Sequence, residues 1–268
     1  MPPPRKKLDL RKTLFLLPNI ITLSSIFCSF DSIRLTAGAT SDDDYYRASL
    51  LLVFALIFDM LDGRVARLTK TQSAFGLQID SLADAISFGV APALLVYQWS
   101  LHQLGVTGLV VSFTFAAAGV VRLARFNVLS MGEKGAPTKP GKYIVGLPVP
   151  GAAGILVSLV LANHAIGGDL MAAKYIVPLS VLTVFLSFLM VSTIKFRSFK
   201  DLKLNAGTIA LVLFVIASSA FISMKLRPAF VLVWLLGFYV IIALVEAIVA
   251  IPKRRREREK RTSIPPLS

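Results

Sequence analysis

The sequence predicts an all-α integral membrane protein with about eight spans. Three observations carry that reading. The chain is 55% hydrophobic and only 16% charged, with a mean hydropathy of +0.72, well outside the range of a soluble domain. Its apolar residues are gathered into blocks close to the roughly 20 residues that a membrane helix needs. Its lysines and arginines are strongly segregated between the connecting segments.

The expected spans are 18–38, 46–66, 80–100, 105–123, 147–164, 171–193, 205–223 and 228–250. The first follows a basic arm, is too long for the apolar region of a secretory leader, and continues past Phe27 without an A-x-A site, so it reads as a retained helix. The second is uninterrupted until Asp59. The third is marginal, because its apolar run covers only Ile86 to Trp99; a helix from Asp80 to Ser100 would be about 30 Å long. The fourth ends on a basic stretch with Arg122 and Arg125, and Pro148 and Pro150 shape the start of the fifth. The last three are apolar throughout, and the tail KRRREREKR from Lys253 to Arg261 reads as a solvated anchor. The longest inner loop, 128–145, is too short to build a core of its own.

When segments are assigned alternately to the two faces, one face receives 24 of the 29 lysines and arginines. The other receives Arg34, Arg47, Lys174, Lys225 and Arg227 together with Asp42, Asp43 and Asp44. The basic face is expected in the cytoplasm, with both termini, which places the protein in the cytoplasmic (inner) membrane. The net charge of +14 then reflects topology and attraction to anionic membrane lipids, and no nucleic-acid partner is expected. Cys28 is the sole cysteine and excludes an intrachain disulfide. His102 and His164 are expected to be solvated in short outer loops.

One window carries the chemistry. Asp59 to Asp84 reads DMLDGRVARLTKTQSAFGLQIDSLAD, or D-x2-D-G-x2-A-R-x8-G-x3-D-x3-D. Asp59 and Asp62 end the second span three residues apart; Asp80 and Asp84 open the third four residues apart. Those spacings put each pair on one helical face, and an antiparallel hairpin can turn the faces together. Four carboxylates among Phe58, Met60, Leu61, Ile79, Leu82 and Ala83 need more positive charge than one arginine supplies. Hard divalent cations meet that need, and a paired-metal site is the form suited to phosphoryl chemistry. Gly63 and Ala66 allow a ligand to approach the backbone closely, and Arg67 can fork onto phosphate oxygens. Gly76 is read either as relief for a bound nucleotide or as a simple turn glycine.

This window resembles the signature of the CDP-alcohol phosphotransferase family at every fixed position. The resemblance implies a core of six membrane helices, usually in a homodimer, here followed by two more helices. It divides the chain into a catalytic membrane core at 1–193, two additional transmembrane helices at 194–252 and a basic cytoplasmic tail at 253–268. It implies that Asp59, Asp62 and Asp80 ligate two divalent cations, Mg²⁺ or Mn²⁺, that Asp84 lies at the metals as general base, and that Gly63, Ala66, Arg67 and Gly76 contact the CDP portion. LLPNIITLSS at 16–25, SFGVAPALL at 87–95, RLARFN at 122–127 and GLPVPGAA at 146–153 are similar to the serine-using branch of the family. The implied reaction moves the phosphatidyl group of CDP-diacylglycerol onto the hydroxyl of L-serine and releases CMP, by direct in-line attack at a cytoplasm-facing site.

For the acceptor, a zwitterion needs a cation for its carboxylate, and Ser87, Arg125 and Asn127 lie at suitable helix ends, with Arg122 as an alternative. Arg122 and Arg125 equally suit anchoring of the fourth span. Asn19 and Thr22 suit either nucleotide contact or helix capping. Relatives that take glycerol 3-phosphate or inositol phosphate would share the signature but need several convergent cations in the acceptor pocket. A cation transporter would instead place its ionisable groups across the bilayer depth, whereas these lie at one edge.

Overall fold

The computed structural model describes residues 10–69, 73–130, 143–167, 173–197, 206–225, 230–242 and 245. The basic tail and the lysines of the longest inner loop, Lys134, Lys139 and Lys142, lie outside the described residues.

The chain opens with α1 (Leu10–Ala37) and α2 (Asp42–Leu68), an antiparallel pair packed along its length. Short polar side chains form the seam: Ser25 Oγ donates to the Ala55 carbonyl at 3.0 Å and Ser32 Oγ to the Ala48 carbonyl at 2.9 Å. Small residues allow this close approach, and hydroxyls replace the hydrophobic drive that helices lose between lipid tails. The entry to α2 is fixed by Asp44, whose carboxylate accepts from the backbone N–H of Thr40 and Ser41. Three aspartates in its first turn also face the positive end of the helix dipole.

The third rod starts earlier than expected. Ser73 caps α3 (Ala74–Asp84), whose first turn precedes Asp80, so Asp80 and Asp84 sit in its second and third turns. The rod continues through a π-helical stretch, Ala85–Val90, into α4 (Ala91–Trp99). A π turn widens the helix by one residue and re-aims the side chains on either side of it. Gly89 lies within this stretch and meets Gly119 of α5 (Val106–Ser130), where the missing side chains let the two backbones approach. A 3₁₀ turn, Leu101–Leu104, joins α4 to α5.

The remaining rods are α6 (Val149–Ile166), α7 (Ala173–Val191), α8 (Ala206–Lys225) and α9 (Phe230–Ile242). α5 packs against α7, and α6 against α2. A two-stranded antiparallel ribbon, β1 (Tyr143–Val145) with β2 (Lys195–Arg197), ties the loop before α6 to the segment after α7. Leaving the ribbon, Gly146 takes φ +79° while its N–H donates to Ile194, and a Cβ there would strike the Met190 carbonyl. This ribbon has no counterpart in the sequence-based expectation.

Among the described residues, eight helical rods stand where eight spans are expected, and four stretches are long and apolar enough to cross a membrane: Leu17–Ala37, Phe75–Trp99, Val106–Leu129 and Val149–Ile166. α7 and α9 supply shorter apolar stretches. The core is built on Leu95, Trp99, Phe115, Leu147 and Leu156, while Phe27, Phe30, Phe113 and Phe188 point outward. An outward row of phenylalanines suits a lipid surround.

Candidate active site

Asp59, Asp62, Gly63 and Ala66 recur at spacings of three, four and seven along α2 and therefore share one face. The α2–α3 hairpin sets Asp80 against that face, and one oxygen from each of Asp59, Asp62 and Asp80 lies within 4.8 Å of the others. Asp84, one turn on, brings its carboxyl within hydrogen-bonding reach of Asp59. Two carboxylate charges 4.8 Å apart repel by about 3.5 kcal/mol at an effective dielectric of 20. Among the described residues none of the four is in an ion pair. Asp84 Oδ1 is shielded from solvent and has no hydrogen-bond donor among the described residues. A hard cation about 2.1–2.5 Å from each ligand spans oxygens about 4–5 Å apart, so the three converging carboxylates fit a divalent metal in both charge and spacing.

The structure gives each candidate around this cluster a definite neighbour. Thr22 on α1, only 5% exposed, donates to Asp62 Oδ2 at 2.6 Å, while Asp62 itself is 4% exposed. That short, charge-assisted bond fixes Asp62 and occupies the hydroxyl for which nucleotide contact or capping was expected. The Arg67 guanidinium lies 3.7 Å from where a Gly63 Cβ would stand, so it folds back beside the Gly63 backbone. Gly76 is inside the first turn of α3, with its N–H on the capping Ser73 hydroxyl at 2.9 Å. A Cβ there would crowd that cap at 3.2 Å and would stand 4.0 Å from Asn19 Oδ1, so Asn19 and Gly76 are neighbours.

The acceptor-side candidates separate. Ser87 is fully buried one turn below Asp84, 3.4 Å from Ser25. Asn127 accepts from Ser81 at 2.9 Å and so ties α5 to α3 beside Asp80. Arg125 turns away and donates to the Val191 carbonyl at the end of α7. Arg122, the alternative, lies within electrostatic range of Asp84 without forming an ion pair; it is 8% exposed, lies 5.9 Å from the Phe126 ring centre, and its Nε has no acceptor among the described residues. The choice between the two arginines depends on the rotation of α5, about 100° per residue, which spacing alone does not set.

The family model for CDP-alcohol phosphatidyltransferase matches residues 15–188, which include the acidic cluster, Arg122 and Asn127. The chain belongs to the CDP-alcohol phosphatidyltransferase family. Within this family it is 39% identical over 235 residues to a CDP-diacylglycerol–serine O-phosphatidyltransferase of Helicobacter pylori (strain ATCC 700392 / 26695), covering 87% of this chain and 91% of the relative. The protein of the same description from Mycobacterium tuberculosis (strain ATCC 25618 / H37Rv) is 33% identical over 83% of this chain and 74% of its own length. An archaetidylserine synthase of Methanothermobacter thermautotrophicus is 35% identical over 66% of this chain and 70% of its own length.

Three features of the site escape sequence reading. The first is the Thr22–Asp62 bond, which joins residues 40 apart. The second is the π turn directly after Asp84, which has no sequence mark. The third is the burial of Arg122, signalled only by an arginine embedded in GVVRLARF.

Proposed function

We propose that this phosphatidyltransferase transfers the phosphatidyl group of CDP-diacylglycerol to the hydroxyl of L-serine and releases CMP. The observation that carries the reading is the convergence of Asp59, Asp62 and Asp80 within 4.8 Å, uncompensated by ion pairs among the described residues, in a chain whose relatives are named for serine transfer. These three aspartates, with Asp84 beside them, hold two divalent cations, Mg²⁺ or Mn²⁺. The chemistry such cations supply when bound is neutralisation of the pyrophosphate and stabilisation of the CMP leaving group.

The protein's own groups do the rest. Gly63 and Ala66 keep the α2 surface low enough for the nucleotide, Arg67 meets a phosphate oxygen, and Asn19 and Gly76 border the CDP portion. Thr22 holds Asp62 in its ligating orientation. Asp84 takes the hydroxyl proton of L-serine as its oxygen forms a bond to the lipid-side phosphorus and the bond from that phosphorus to CMP breaks. Arg122 meets the serine carboxylate, with Asn127 bracing α5 against α3 and Ser87 supporting the layer beneath. The catalytic membrane core spans 1–193, six helices in a homodimer, with two further helices at 194–252 and a cytoplasmic tail at 253–268. The acidic edge faces the cytoplasm across the inner membrane, where nucleotide and serine arrive while the lipid tails stay in the bilayer.

The test is CMP release by the purified protein with CDP-diacylglycerol and Mg²⁺ or Mn²⁺, comparing L-serine, glycerol 3-phosphate and inositol phosphate. Release with L-serine alone, matched by phosphatidylserine, is expected. Release with a phosphorylated acceptor in its place would overturn the serine assignment and keep the metal site.

A further inference from the structure

α3 carries two of the four site aspartates, and the acids themselves do not fix it: they converge, repel one another, and enter no ion pair among the described residues. Uncharged side chains on the flank of α3 make the contact with α5. Ser81 Oγ donates to Asn127 Oδ1 at 2.9 Å, and Asn127 Nδ2 donates to Gln78 Oε1 at 3.4 Å. One amide on α5 thus grips two side chains of α3, which bracket Asp80 in the sequence. At about 100° per residue, Ser81 and Gln78 stand about 100° and 160° around the helix from Asp80, while Asp84 stands about 40° from it. The grip lies beside the acidic face and leaves that face open.

A second fixed point lies farther along the same two rods. A Cβ on Gly119 would stand 3.6 Å from Gly89 Cα, so the backbones of α5 and of the π-helical stretch touch there. Asn127 and Gly119 are about 12 Å apart along α5, and Asp84 falls between their partners Ser81 and Gly89 on the other rod. With the rod held at Gly89 and a π turn in between, the contact at Asn127 governs how far α3 is turned about its axis. That turn matters to a metal centre. A carboxylate oxygen about 5–6 Å from a helix axis moves by about 2 Å when the helix turns by about 20°, nearly a full metal–oxygen bond.

We infer that Ser81, Gln78 and Asn127 are positioning residues for the metal centre, a neutral clamp that locks the rotation of α3 and so presents Asp80 to the cation shared with Asp59 and Asp62. This rests on the metal reading above. It also moves Asn127 from the acceptor pocket, where the sequence offers it, to the support of the metal ligands, since both ends of its amide are engaged by α3.

The experiment titrates Mn²⁺ into the full-length enzyme in detergent micelles without substrate, reads free Mn²⁺ by electron paramagnetic resonance, and measures KM for L-serine at saturating Mn²⁺. The variants are Ser81→Ala, Ser81→Thr, Asn127→Ala and the Ser81→Ala/Asn127→Ala pair. Ser81→Ala is expected to weaken Mn²⁺ binding by roughly tenfold, the lower end of the range for groups that orient metal ligands, with the serine KM within about twofold of wild type. Ser81→Thr, which keeps the hydroxyl, is expected to bind Mn²⁺ as the wild type does. In the pair, the second substitution is expected to add little to the first, because both remove one hydrogen bond. Wild-type Mn²⁺ affinity in Ser81→Ala would overturn the inference. A raised serine KM in Asn127→Ala with Mn²⁺ affinity unmoved would overturn it too and return Asn127 to the acceptor pocket. Equal losses in Ser81→Ala and Ser81→Thr would reduce Ser81 to packing. Failure of the wild type itself to bind Mn²⁺ saturably would overturn the metal reading, and the clamp's role with it, which separates that failure from one confined to the variants.

Discussion

Aspartates stand at both ends of the α1–α2 pair, and the two groups are compensated differently. At the end that the sequence-based topology puts outside, Asp31 pairs with Arg34 at 2.7 Å, and Asp44 accepts from the backbone of Thr40 and Ser41. Asp43 lies 3.6 Å from His164, whose ring stacks on Tyr46 at 4.1 Å between centres. These acids are partnered by groups within reach, as caps and surface pairs usually are. At the inner end, Asp62 receives one hydroxyl, Asp84 Oδ1 receives no donor, and none of the four site aspartates is in an ion pair among the described residues. Residue type does not distinguish the ends. The inner group has the charge and geometry of a site whose partner comes from outside the chain, and the outer group does not.

The comparison is broken most directly by removing one inner carboxylate and one outer carboxylate in parallel. Asp80→Asn and Asp59→Asn are each expected to lower kcat by about 10³-fold, several kcal/mol of lost metal and transition-state stabilisation. Asp43→Asn is expected to leave turnover within about twofold of wild type, since an exposed pair contributes little. Chelation of divalent ions is expected to stop CMP release, and added Mg²⁺ or Mn²⁺ to restore it. An Asp80→Asn enzyme retaining a tenth or more of wild-type turnover would mean that the inner cluster is no more demanding than the outer one.

A finer probe is Thr22→Val, which keeps the shape of the side chain and deletes the hydroxyl on Asp62. Groups that orient a metal ligand typically change metal affinity by about 10- to 100-fold. The expected result is a rise of about tenfold in the Mn²⁺ concentration giving half-maximal activity, with recovery at saturating metal. An unchanged metal requirement would leave Thr22 as a simple packing residue between α1 and α2.

The legible parts of the molecule were those recorded locally. Eight apolar blocks became eight helical rods among the described residues because each satisfies its own backbone, and the acidic window was readable because charges at fixed spacing inside apolar stretches are costly. What escaped depends on how rods rotate and touch. His164 reads as a solvated outer histidine; the structure instead puts it inside α6, against Tyr46 and Asp43 of α2, more than a hundred residues earlier in the chain. Arg122 and Arg125 differ by three positions on one helix, yet one is buried and the other reaches the end of α7. Ser87 follows Asp84 by three positions, but it lies within the π-helical stretch and sits in the seam with Ser25. Periodicity assigns residues to a helix face; only packing decides what that face meets.

The smallest effect tests whether the outer acids are as self-contained as they look. Hydrogen bonds hold the Asp44 carboxyl below the ordinary value of 3.8, first from the Thr40 backbone and then from the Ser41 side chain. A group with a lower folded than unfolded pKa stabilises the fold fully above its unfolded value, and that contribution is lost as pH falls through the folded value. Asp44→Asn is therefore expected to lower the unfolding midpoint slightly near neutral pH, with the gap to wild type closing as the pH drops below about 4. Turnover at neutral pH should not change, because the substitution lies at the opposite end of α2 from Asp59 and Asp62. A gap that persisted at low pH would assign the loss to the geometry of the cap and not to its charge. A fall in turnover would show that the start of α2 is coupled to the site along the length of the helix.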